Sequence, residues 1–159
     1  MRSFSKVSPN VWQSQRFNAL PDDSRLLYFY LLTSPHANSA GAYRLPSGYV
    51  CTDLRWQSDR YMQALNQLID ADLIAHDEAE SIVIIKRWFQ HNPPMNEKHF
   101  RGVVRILSNL PQVACVQETT ESIHETWYAK GTEGKRPGTS SAIEPRHHLL
   151  NTNFMNGRG

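Results

Sequence analysis

The chain has 159 residues, with 17 Lys and Arg against 15 Asp and Glu, a formal net charge of +2. That length allows one domain with a tail, not two full-sized domains; 40% hydrophobic residues suffice for one core and exclude a wholly disordered chain. A charge this close to balance excludes nucleic-acid binding by a global basic field, so any such case rests on local patches. No apolar run approaches the roughly 20 residues of a membrane span. The opening MRSFSKVSPN has no apolar signal region, which predicts a cytoplasmic protein with no membrane partner. Cys51 and Cys115 sit in YVCTDL and QVACVQ and read as two buried thiols in a reducing compartment. No CxxC spacing occurs.

Pro9-Asn10 opens a short helical turn around Trp12, with Phe17 and Leu20 as anchors. Pro21, Asp22, Asp23 and Ser24 then form an acidic helix start. Leu26, Leu27, Phe29, Tyr30, Leu31 and Leu32 follow, apolar almost all round, which predicts the central helix. Ser34-Pro35 stops it. A polar loop with Gly41 leads to an extended stretch over 42–45. Pro46 suits the first turn of a helix over 47–54, with Tyr49, Val50 and Leu54 inward. RWQS is a tight turn. The next helix, over 58–71, has Tyr61, Met62, Leu65, Leu68 and Ile69 at helical spacing.

Residues 73–75 read as a strand, 76–80 as a turn, and 81–88 as a second strand carrying Ile82, Val83, Ile84 and Ile85. HNPP closes it, because paired prolines cannot continue a ladder. Asn96 caps a helix through about 109, with Phe100, Val103, Val104 and Leu107 on one stripe. Pro111 breaks it, and a last helix over 112–129 carries Val113, Val116, Ile123 and Trp127. Residues 130–159 are rich in Gly, Pro, Ser and Asn and predict a disordered tail, in which Leu149, Leu150, Phe154 and Met155 form a small apolar cluster.

The predicted class is mainly α with a small β-hairpin. Helix, short strand, helix, tight turn, helix, hairpin is the winged helix-turn-helix plan, the hairpin being the wing. It spans 1–111, followed by a C-terminal helix over 112–129 and the tail over 130–159. The 58–71 helix is then the recognition candidate. Asp59, Gln63, Asn66, Gln67 and Asp70 share its outer face. Gln and Asn can each pair with an adenine edge in the major groove. Arg60 can take guanine or phosphate, and Ser58 can donate to a phosphate near the helix start. Arg44, Arg55, Lys86 and Arg87 are candidate phosphate contacts in turns and strand ends. The same residue types are ordinary on solvent-facing helices and strand ends, so both readings stand.

Asp77, Glu78 and Glu80 crowd the hairpin turn, with Asp70 and Asp72 just before. Such a tip repels phosphate. It either points away from DNA or belongs to a module that binds protein. The seven histidines form no HExxH or other ligand spacing, and no GxSxG or Walker-type loop occurs. No catalytic residue, metal ligand or cofactor is predicted. The many aromatics mostly fall on apolar stripes and read as core; Trp56 and Trp88 read as its corners.

The segment 7–111 resembles the N-terminal winged-helix domain of phage and prophage replication proteins of the replisome-organiser or replication-initiation type. The resemblance lies in VWQSQRFNALPDDSRLLYFYLLTSPHANSAGAYRLPSGYV, DLRW, ALNQLIDADLI and VIIKRWFQHNPP. It implies double-stranded DNA binding at an origin and recruitment of host replication proteins, a helicase or its loader. Members often continue into a longer C-terminal region than the 48 residues that follow Pro111 here. A DNA-binding transcription regulator and a winged-helix protein-interaction module remain as alternatives. A regulator would be a homodimer on a palindromic site, and the stripes on the last two helices could pair two subunits or pack on their own domain.

Overall fold

The computed structural model describes residues 5–133, with side chains through 129. The described chain is mainly helical, with one small antiparallel sheet of three strands. A 3-10 turn at Pro9–Gln13 leads into α1 (Gln15–Asn18) and α2 (Asp22–Thr33). Then come β1 (Ala42–Arg44), α3 (Ser47–Leu54), α4 (Ser58–Asp70), β2 (Ile74–Asp77) and β3 (Ile82–Ile85). The chain continues through α5 (Trp88–His91), α6 (Glu97–Ser108) and α7 (Ala114–Glu133).

Local chemistry sets these boundaries. Ser14 Oγ caps α1 and Asn96 Oδ1 caps α6, the latter accepting from His99 N at 2.8 Å. Arg55 ends α3 in the left-handed region at φ 55°, and its N–H returns to α3 carbonyls. Three residues therefore separate α3 from α4. Arg87 is also left-handed, at φ 57°, and this turns the chain out of β3. The second strand consequently stops at Ile85, and Trp88 starts a helix instead of ending a strand. The first hairpin strand runs on through His76 and Asp77, so the turn is narrower than 76–80.

β3 lies in the middle of the sheet. It pairs with β2 (Ala75 opposite Ile84, His76 opposite Val83) and with β1 (Ala42 opposite Ile84, Arg44 opposite Ile82). The extended stretch at 42–45 is thus a third strand, and the expected two-stranded hairpin is one half of a larger sheet. All four residues of β3 are buried, as a strand covered on both faces requires.

The core joins the helices to this sheet through Phe17, Leu27, Leu31, Leu45, Val50, Tyr61, Leu65, Leu68, Ile74 and Ile82. Each such side chain contributes about 1.5–3 kcal/mol on burial. α2 packs on α4, where the fully buried Ser24 lets the two helices approach. α2 is not buried all round: Leu26 is exposed, and Trp12 shields Phe29 from outside at 5.7 Å between ring centroids. Tyr49 is exposed rather than inward and packs against His36. Trp56 and Trp88 are buried, and both cysteines are half-buried free thiols rather than fully buried ones.

α6 packs on α7, which in turn rests on α5 and β2. Val103, Leu107, Val116 and Ile123 are buried, and Phe100 stacks on Trp127 at 4.9 Å. The stripes that could have joined two subunits are therefore used within one chain. α7 continues through 130–133, which the sequence had assigned to the tail; the rest of that tail lies outside the described residues.

Candidate nucleic-acid interface

α4 presents its apolar side to α2, α3 and the sheet, with Tyr61, Ala64, Leu65 and Leu68 buried. Successive residues turn by about 100°, so Asp59, Gln63, Asn66 and Asp70 fall together on the opposite side. All four are exposed. Met62 and Ile69, expected inward, sit at the edge of that side, half-buried and exposed respectively. Ser58 opens α4 in an exposed position, and the preceding Gln57 makes no side-chain cap.

Gln67 of that expected face and Arg60, the expected guanine or phosphate contact beside it, are occupied elsewhere. Gln67 is rotated toward α2, where Ser24 Oγ donates to its Oε1 at 2.5 Å. Arg60 grips Asp23 through Nε–Oδ2 at 2.7 Å and Nη2–Oδ1 at 2.5 Å, and its guanidinium stacks over Trp56 at 4.6 Å. That hydrogen bond holds the Asp23 carboxyl below its ordinary range, so the pair stays ionised. Arg60 thereby ties α4 to the first turn of α2, where a carboxylate also suits the helix dipole.

Three of the four expected phosphate contacts also have partners. Arg44 pairs with Glu80 and donates its Nε to the Glu80 carbonyl at 2.9 Å, pinning the hairpin turn to β1. Arg87 pairs with Asp72, and Lys86 lies 3.9 Å from Glu118 of α7. Arg87 is the main cause of the lowered Asp72 carboxyl, with Lys86 and Arg16 adding to it. Arg55 alone is exposed with no ion pair to a described residue.

The described structure thus keeps Arg55, Ser58, Gln63 and Asn66 free near the α3–α4 turn and withdraws Arg44, Arg60, Gln67, Lys86 and Arg87 into internal pairs. It also exposes a cationic stripe that the sequence reading passed over. Lys98, Arg101 and Arg105 recur at i, i+3 and i+7 on the outer side of α6, with exposed Gly102 between them. That spacing is legible in the sequence, on the same helix as the apolar stripe of Phe100, Val103, Val104 and Leu107. α7 shows the opposite sign at the same spacing, in exposed Glu118, Glu121 and Glu125.

Burial pushes the pKa of His76 on β2 below its ordinary 6.5, against the opposing pull of Glu78 and Asp77. The unfolded chain therefore takes up this proton first as pH falls. The stability contribution is complete above about 6.5 and is lost as pH drops through the lowered value. Urea midpoints should fall between about pH 7 and about pH 5.5, and His76→Gln should flatten that dependence. An unchanged slope in the variant would assign the pH dependence to other groups.

Among the described residues no cluster of three His, Cys, Asp or Glu could hold a metal ion, and no helix is long and apolar enough to cross a membrane. Searches of protein-family models, curated proteins and solved structures find no match to this chain.

Proposed function

We propose that the chain is a non-catalytic duplex-DNA-binding protein of winged-helix type, working in phage or prophage replication. The observation that carries DNA binding is the α3–α4 corner. There, unpaired Arg55 is held left-handed beside a helix whose exposed face offers Gln63 and Asn66. A left-handed arginine costs about 1–2 kcal/mol that glycine would avoid. Strain kept at a turn beside a polar face is what a contact residue explains. The replication role rests on the family resemblance of the strings quoted above.

Asp59 and Asp70 flank the reading pair and repel phosphate, although each can accept from a cytosine amino group. Affinity should consequently be modest. Selection of bound duplexes from a random pool tests the reading. Gln63→Ala or Asn66→Ala should each lose about 1–3 kcal/mol of discrimination at one base pair. Arg55→Gly should weaken every sequence alike and reduce the log–log salt slope by about 0.9, while folding stability holds or rises. Asp70→Asn should strengthen binding to all duplexes.

The acidic flanks also favour a second reading, a protein-interaction module using the same face. A gel shift with random duplex at low salt separates the two, because an interaction module leaves the duplex unretarded.

A further inference from the structure

A cavity of about 310 Å³ opens between the N-terminal 3-10 turn, α1, α2 and the end of β3. Val11, Phe17, Leu32, Leu73, Ile85 and Trp88 give it an apolar floor. Lys6, Arg16, Lys86 and Arg87 also line it, and among its described lining residues there is no carboxylate. Lys86 and Arg87, which the sequence offered to DNA phosphates, therefore contribute their charge here.

The charge balance around this cavity is positive. Asp72, outside the lining, serves two guanidiniums: Arg16 Nη1 reaches its Oδ2 at 3.3 Å, and Arg87 pairs with the same oxygen while donating Nη1 to the Asp72 carbonyl at 3.1 Å. One carboxylate neutralises one of the two. Glu118 offsets Lys86, and Lys6 has no ion pair with a described residue. Four cations against two carboxylates leave a surplus of two positive charges. Tyr28 lines the same space, and burial raises its pKa, so its phenol stays protonated and can donate.

The geometry points to a binding site for a small amphipathic monocarboxylate, with a compact aromatic or branched body on the floor and its carboxylate between Arg16, Arg87 and the Tyr28 hydroxyl. The size falls at the lower end of small-molecule pockets, which combine apolar walls with a few convergent polar groups. Arginine's planar fork suits a carboxylate, and the shared Asp72 leaves guanidinium donors unfilled. A neutral apolar molecule would use the floor but leave the surplus charge uncompensated. This site is separate from the α3–α4 corner and does not depend on DNA binding.

The test titrates the full chain with naphthoate and with its neutral amide, naphthamide, by calorimetry. Naphthoate should bind saturably, one per chain, and about tenfold or more tighter than the amide, as expected for hydrogen bonds to a charged group. Arg16→Gln should cut naphthoate affinity about tenfold and leave the amide unaffected. The Arg16 side chain is 45% exposed, and the Arg87–Asp72 pair survives its loss, so the thermal midpoint should stay close to wild type. Lys6→Gln should act in the same direction, more weakly. Equal affinity for acid and amide, non-saturable uptake, or an Arg16→Gln variant that binds naphthoate like wild type would each overturn the site.

Discussion

Gly41→Ala should destabilise the domain by about 2–5 kcal/mol, the largest loss expected from adding a single methyl group. Gly41 sits at φ 65°, in the left-handed region that costs a side chain about 1–2 kcal/mol. A methyl group there would also lie 2.5 Å from Trp88 Cδ2 and 2.9 Å from its Cβ. The indole cannot retreat easily. It is buried, and its Nε1 donates to the Ser39 carbonyl at 2.8 Å. The Gly41 backbone is fixed too, because its carbonyl accepts from Ile85 N at 2.8 Å. Overpacking at such a contact costs about 1–3 kcal/mol on top of the backbone term. Urea unfolding measures the sum as a lowered midpoint at constant slope. Gly102→Ala is the control of opposite sign. Nothing lies within 4 Å of its added methyl, which sits exposed inside α6, so stability should rise by about 0.5–1 kcal/mol. A Gly41→Ala loss below about 1 kcal/mol would mean that Trp88 repacks freely.

The element order was readable because its signals are local. Proline, asparagine and serine mark helix ends by their own backbone chemistry, and the spacing of Tyr61, Leu65 and Leu68 marks one face of α4. What escaped reading depends on partners far along the chain. Arg60 meets Asp23 across 37 residues, Ser24 meets Gln67 across 43, and Arg44 meets the Glu80 carbonyl across 36. No spacing rule relates such pairs, yet they decide which polar side chains face solvent. The role of β1 was hidden for the same reason, since a three-residue strand does not name the strand it joins. The end of β3 turned on the left-handed backbone at Arg87, a residue type with no preference for that conformation. Charge balance alone foretold a weak global field. Internal pairing makes the local field at α4 weaker still and, among the described residues, leaves unpaired cations at Arg55, at Lys98 and Arg105 of α6, where Arg101 pairs with Glu97, and at Lys6 beside the cavity.

Phe17→Ala should cost about 3–5 kcal/mol, the usual range for removing a fully buried aromatic ring. Phe17 is the one buried side chain of α1, a four-residue helix too short to hold itself. Its ring meets Trp12 edge-on at 5.6 Å, Tyr28 at 5.9 Å and Phe29 at 5.3 Å, and Arg25 covers it at 5.8 Å. The 3-10 turn before it buries no residue, so Phe17 and Leu20 are the buried anchors of the N-terminal segment on α2, with Trp12 against Phe29 and Arg25 donating to the Phe17 carbonyl at 3.3 Å at the rim. Two consequences separate a local from a global role. If Phe17 belongs to the common core, urea curves followed by backbone circular dichroism and by tryptophan emission should shift together. If the N-terminal segment detaches first, Trp12 emission and amide exchange over residues 9–20 should change while the main transition moves by less than about 1 kcal/mol. The coincident shift is expected, because the same ring also floors the cavity that Leu73, Ile85 and Trp88 complete from the sheet side. Loss of the ring should therefore abolish naphthoate binding even where the protein remains folded, through the apolar floor rather than through Arg16.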